Sequence, residues 1–188
     1  MMKKILNPFR YLPLRQAICW GVVGLILVTV FMWQCGLRAT SLTQIDFGGG
    51  ALWNVLVRQL LIWIFFSLVL FVGGVLGSKS KVRFGDVAAF NLFARIPFSL
   101  SMLVFAIPSV KSFMGYALDM NINAMMQYVV PLTLLGIVST LFCVWYFYWT
   151  YKAFAEATNV KNGKGVAIFI AVYVVAQTAL AFVLKMVV

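Results

Sequence analysis

The sequence has no histidine, four acidic residues and three cysteines in 188 residues. Each shortage excludes chemistry. Without histidine, the commonest general base and the commonest metal ligand are missing together. The carboxylates Asp46, Asp86, Asp119 and Glu156 are too dispersed to form an acid–base pair. Cys19, Cys35 and Cys143 lie in or beside apolar runs without paired spacing, which predicts free thiols and no disulfide framework or metal site. Neither a phosphate loop nor a G-x-S-x-G nucleophile turn occurs. The expectation is a non-enzymatic chain with no catalytic residues, no metal and no cofactor.

Charge is scarce as well. Charged residues make up 10% of the chain and hydrophobic residues 64%, where soluble domains carry about 25% and about 45–50%. The mean hydropathy is +1.01. Such a composition cannot cover a water-facing surface. What is abundant is long apolar sequence: Gln16 to Leu37 is an uncharged run of 22 residues, and similar runs recur to the C-terminus. A helix needs roughly 20 apolar residues to cross a bilayer. The pattern therefore predicts an all-α polytopic membrane protein: a single bundle of five transmembrane helices near 17–35, 55–77, 87–107, 128–149 and 166–184. A short basic segment, 1–16, precedes it. The first run exceeds a signal-peptide core and no clear small-x-small site follows, so it reads as an uncleaved span.

The connections carry the remaining information. The stretch 36–54, with Gly48, Gly49 and Gly50 in a row, reads as a flexible polar loop, and 109–127 as a polar connection. Gly73 and Gly77, four apart at the end of the second span, permit close helix approach. The third span contains Pro97, whose missing amide predicts a bend there, with Ser99 and Ser101 at hand to satisfy the freed carbonyl. Pro108 marks its end. The run "VWYFYWTY" at 144–151 has the composition of a helix leaving the hydrocarbon.

Fifteen basic residues oppose the four acids. In a five-span arrangement Lys3, Lys4, Arg10, Arg15, Lys79, Lys81, Arg83, Arg95, Lys152, Lys161 and Lys164 fall on one side, eleven in all. Arg38, Arg58, Lys111 and Lys185, four in all, fall on the other. Basic loops are retained in the cytoplasm, which predicts a cytoplasmic N-terminus, an external C-terminus and contact with anionic lipid headgroups. No groove-sized basic face exists, so nucleic acid is excluded as a partner.

Polar residues inside spans are costly and mark either function or interhelical bonding. The candidates are Asp86, Asn91, Arg95, Pro97, Glu156 and Gln177. Asp86 reads as a cap and dipole partner of the third helix. Arg95 reads as snorkelling to headgroups, as a partner of Glu156, or as a functional group. Lys152 and Glu156, spaced i, i+4, suggest a fourth helix running past the membrane surface. Tyr173 and Gln177 share a face of the fifth span, where Gln177 must find an interhelical partner.

Three segments in order carry a family resemblance: "NPFRYLPLRQAI" before the first span, "FVGGVLG" followed by "FGDVAAFNLFARIP", and "WYFYWTYKAFAEATNVKNGKGVAIFIAVYVV". Together they resemble the Yip-one domain family, five-span membrane proteins related to Rab-GTPase-interacting factors. The resemblance implies a five-helix bundle with a cytoplasmic N-terminus and, in eukaryotic relatives, a role in transport vesicles and contact with small GTPases. Only about 16 residues precede the first span, and the family's acidic tyrosine-glycine-proline motif is absent. The expectation is therefore a prokaryotic-type member of the bacterial inner membrane that does not bind GTPases. Two functions remain open: a scaffold that organises lipids, other membrane proteins or further copies of itself, and a small transporter or channel subunit.

Overall fold

A computed structural model describes residues 6–186. Five long apolar segments form one bundle, and each is long enough to cross a membrane. Helix α1 (Leu14–Gln34) starts directly after Pro13, and Gly36 at φ +65° turns the chain out of it. Helix α2 covers Leu52–Gly77. The third segment is split into α3 (Phe84–Ala94), α4 (Ile96–Ser101) and a 3-10 turn to Ala106. Helices α5 (Pro108–Leu118) and α6 (Ile122–Met126) follow, then the long α7 (Val129–Thr158) and α8 (Asn162–Met186).

The third segment is the centre of the bundle: α3 lies against α1, α2 and α7, and α4 continues along α7. Its core stretch is 61% buried, against 28%, 33%, 6% and 17% for the first, second, fourth and fifth. Small residues make this possible, since Ala88, Ala89 and Ala94 let neighbouring backbones come close. Gly21 of α1 does the same from the other side, because a Cβ there would meet the Leu92 side chain at 2.7 Å. Helix α2 packs along α8, where Gly73 and Gly77 face Val172 and Ile168. The close-approach reading of those glycines holds.

Four expectations are corrected. The stretch 36–54 is no flexible loop: Leu37–Ala39 (β1) pairs antiparallel with Ile45–Phe47 (β2), and Gly48 and Gly49 both donate to the Gly36 carbonyl at 3.2 Å. Leu37 and Leu42 are fully buried, so the hairpin plugs one end of the bundle. The connection 109–127 is largely helical, forming α5 and α6. The break in the third segment falls at Arg95, whose ψ of −12° leaves the helix, and Pro97 stands in the first turn of α4. There its missing amide costs nothing. The hydroxyls of Ser99 and Ser101 accordingly bond the Arg95 and Phe98 carbonyls, and not that of Phe93.

The fourth correction concerns the aromatic run. Helix α7 continues past it to Thr158, as the Lys152–Glu156 spacing suggests, and Tyr146 and Trp149 turn into the protein. Trp149 stacks on Phe93 at 5.4 Å, and Phe9 from the N-terminal segment fits edge-on against Phe90, Phe93 and Trp149. Asn7 bonds Glu156 at 3.1 Å. The N-terminal segment is thereby docked at the end of the bundle that also holds Lys164, whose Nζ reaches the Gly77 carbonyl. Lys3 and Lys4 lie outside the described residues.

Candidate functional site

Arg95 sits at the middle of the third segment, Phe84–Ala106, and is only 7% exposed. It neither snorkels to a surface nor meets Glu156. Its Nη2 donates to Oε1 of Gln59 on α2 at 3.0 Å. The Gln59 amide in turn points at the sulfur of Met32 on α1, 2.9 Å away. Tyr146 of α7 and Tyr173 of α8 lie within electrostatic reach of the guanidinium. Besides Arg95 itself, the other four spans each contribute one side chain to the cluster: Met32, Gln59, Tyr146 and Tyr173.

No carboxylate belongs to this group. Among the described residues, the ion pairs are Arg38–Asp46 and Lys161–Glu156, both at the ends of the bundle. A charge buried without a counter-ion is costly, and the helix holding it is kept in place by its surroundings. The cost is visible in the atoms nearby. Among the described residues, Nη1 of Arg95 and Oε1 of Gln177 are buried without a hydrogen-bond partner, while the Tyr146 and Tyr173 hydroxyls have the side chains of Thr150 and Thr43 beside them. Such atoms are rare in native interiors, and each calls for an explanation such as water, an ion or a ligand.

The space beside the guanidinium is small. A gap of about 10 Å³ is lined by Gln59, Arg95, Ser99, Leu92 and the glycine edge of α1 (Gly21, Gly24), on the order of one water molecule. It adjoins an apolar groove of about 350 Å³ between α1 and α4, bounded by Trp20, Leu27, Phe31 and Leu103. The groove faces the lipid side.

The other candidates are distributed. Asn91, 1% exposed, donates to the Ser67 hydroxyl at 2.8 Å and ties α3 to α2. Asp86 lies in the first turn of α3, where a negative charge suits the helix dipole, but the cap position is Arg83 and no side chain caps this end. Pro97 lies two residues beyond Arg95, in the first turn of α4. Glu156 binds Asn7 and Lys161, away from the cluster. The expected interhelical partner of the Gln177 side chain is not found: its side-chain oxygen stays unpartnered among the described residues, and its backbone carbonyl accepts from Ser41 in the hairpin at 2.9 Å. Of the polar candidates, the structure gathers only Arg95, with Gln59, which the sequence reading left out, with Tyr146, which it placed in the interfacial aromatic run, and with Tyr173. The signal for Gln59 was present as an amide inside an apolar run.

With this geometry in place, the comparisons fit. The family model for the Yip1 domain matches residues 5–184, nearly the whole chain. The chain belongs to the Yip1 domain family. No curated protein and no solved structure matches it. It is an integral membrane protein of that family, built as a five-span helical bundle.

Proposed function

We propose that this Yip1-family protein is a non-enzymatic scaffold in the membrane, holding other membrane proteins or lipids in place. Its N-terminus lies in the cytoplasm and, in a bacterial cell, its home is the inner membrane. One observation carries the reading: no residue of α7 from Val129 to Trp145 is buried. Half of a spanning helix is thus only partly covered by its own chain, with Cys143 and Trp145 packed against the core and most of its length left open. That half exposes Leu134, Ile137 and Leu141 beside Gly136 and Thr140. Small residues four apart are what closely packed membrane helices use. The basic loops at the opposite end of α7 supply attraction for anionic lipid.

Photo-crosslinking residues placed at Ile137 and Leu141 in native membranes test the reading. Adducts to a reproducible membrane protein, or to a second copy, are expected. Adducts spread over bulk lipid, with no reproducible protein, second copy or particular lipid among them, would remove its basis.

A small transporter or channel subunit is the second reading, favoured by a buried Arg95 with no carboxylate beside it among the described residues and by the unpartnered Oε1 of Gln177. Flux in reconstituted vesicles that is unchanged by Arg95→Met and Gln177→Leu would set it aside.

A further inference from the structure

The end of the bundle capped by the β-hairpin is poor in positive charge, yet that charge is concentrated. Of the four basic residues assigned to it, Arg38, Arg58 and Lys185 line one pocket of about 210 Å³, together with Thr40, Asp46 and Leu184. The elements bring them there separately: β1 carries Arg38, α2 carries Arg58 and the last turn of α8 carries Lys185. Asp46 is the pocket's one carboxylate and pairs with Arg38 at 3.3 Å. Among the described residues, Arg58 and Lys185 have no acidic partner.

The two guanidiniums are held, not merely present. Arg58 is 5% exposed and donates from Nη1 to the Ala39 carbonyl at 3.2 Å, which fixes its direction. Nε of Arg38 is buried without a partner. Its guanidinium lies against Gly48, where a Cβ would come within 2.9 Å of Cζ, so a larger residue there would push it away. A planar guanidinium fork matches phosphate oxygens in a way a point charge does not.

Depth and size narrow the ligand. Arg58 is six residues into α2 from Leu52, about 9 Å along the axis, and Trp53 beside that end is 67% exposed, as an interfacial anchor would be. This is the level of lipid headgroups. Whole small-molecule ligands occupy pockets of roughly 300–1,000 Å³, so the space takes a headgroup and leaves its tails outside.

We infer that Arg38, Arg58 and Lys185 form a binding site for a phosphate group, carried by an anionic phospholipid or by a soluble phosphate ester. Basic pockets between spans are a recurring mode of anionic headgroup recognition. The site is independent of whether α7 recruits a partner.

The test uses the full chain in nanodiscs. Native mass spectrometry counts retained lipid in mixtures of phosphatidylglycerol and phosphatidylcholine, and thermal shifts in pure phosphatidylcholine discs report binding of glycerol 1-phosphate. The expected result is retention of phosphatidylglycerol that falls at least tenfold in Arg58→Gln/Lys185→Gln and is unchanged in Lys81→Gln/Lys152→Gln at the other end. Lys185→Glu, a change at an exposed side chain, keeps the test valid if the double variant misfolds, and lowers retention by itself. Protection by glycerol 1-phosphate without selective lipid retention supports the site and assigns it a soluble ester. Equal loss from both ends, or no loss from either, together with no response to glycerol 1-phosphate, overturns it.

Discussion

The third segment and the first half of α7 are opposites. The third is the least apolar span, with a hydropathy of 1.6, and its core stretch is 61% buried. The fourth is more apolar at 2.0, and its stretch is 6% buried. In water the order would be reversed. In lipid the surroundings of a helix are already apolar, so burial is decided by polar atoms that need partners and by small residues that let backbones meet. Asn91, Arg95, Ala88 and Ala94 therefore draw α3 to the centre, while the Leu, Ile and Val side chains of α7 can be left to the bilayer.

The largest effect that would break this contrast comes from placing a charge on the wrong helix. Leu141→Arg puts a cation on a residue 64% exposed to lipid, and costs about 2.5–3.5 kcal/mol on insertion scales. A glycosylation-mapping assay of α7 insertion should show a clear loss. Gln59→Leu comes next, because it removes the hydrogen-bond partner of Arg95. A hydrogen bond to a charged group is worth about 1.5–3 kcal/mol, read as a lower melting temperature in detergent. Adding Arg95→Met to Gln59→Leu should restore most of that loss, since removing both polar partners leaves no orphan.

Gly73→Val sharpens the comparison at the α2–α8 contact, where the new side chain would collide with Val172. Overpacking of this kind costs about 1–3 kcal/mol. The smallest effect is expected from Gly136→Leu, where open space surrounds the glycine. Fold stability should change by less than about 0.5 kcal/mol. Cross-linking through the Ile137 face should fall nonetheless if that face recruits a partner.

Much of the architecture was legible because apolar run length is a property of sequence. Four of the five spans lie within a few residues of their expected bounds, and the fourth helix runs on past 149 to Thr158. The hairpin was not legible: strands of three residues show no alternation, and the glycine run 48–50 reads as flexibility although two of those amides close the turn on Gly36. The site was half legible. Depth along a helix is encoded in position, so Arg95 stood out. Which neighbours face it depends on helix rotation and crossing, and these left Gln59 unnoticed among apolar residues and Tyr146 read as part of an interfacial belt. The eleven-to-four distribution of charge also changes, because Arg95 belongs to neither end. Ten against four keeps the same bias.

Arg95 also bears on how the chain is made. The third segment leaves the ribosome before α7 and α8 have been synthesised, and those helices supply Tyr146 and Tyr173. Until they arrive, its guanidinium has Gln59 as its hydrogen-bond partner and one side open to lipid or water. The bundle therefore cannot be finished span by span in order. Its middle closes last, and a truncation that removes the fifth helix should leave the third as the portion most readily pulled back out of the membrane.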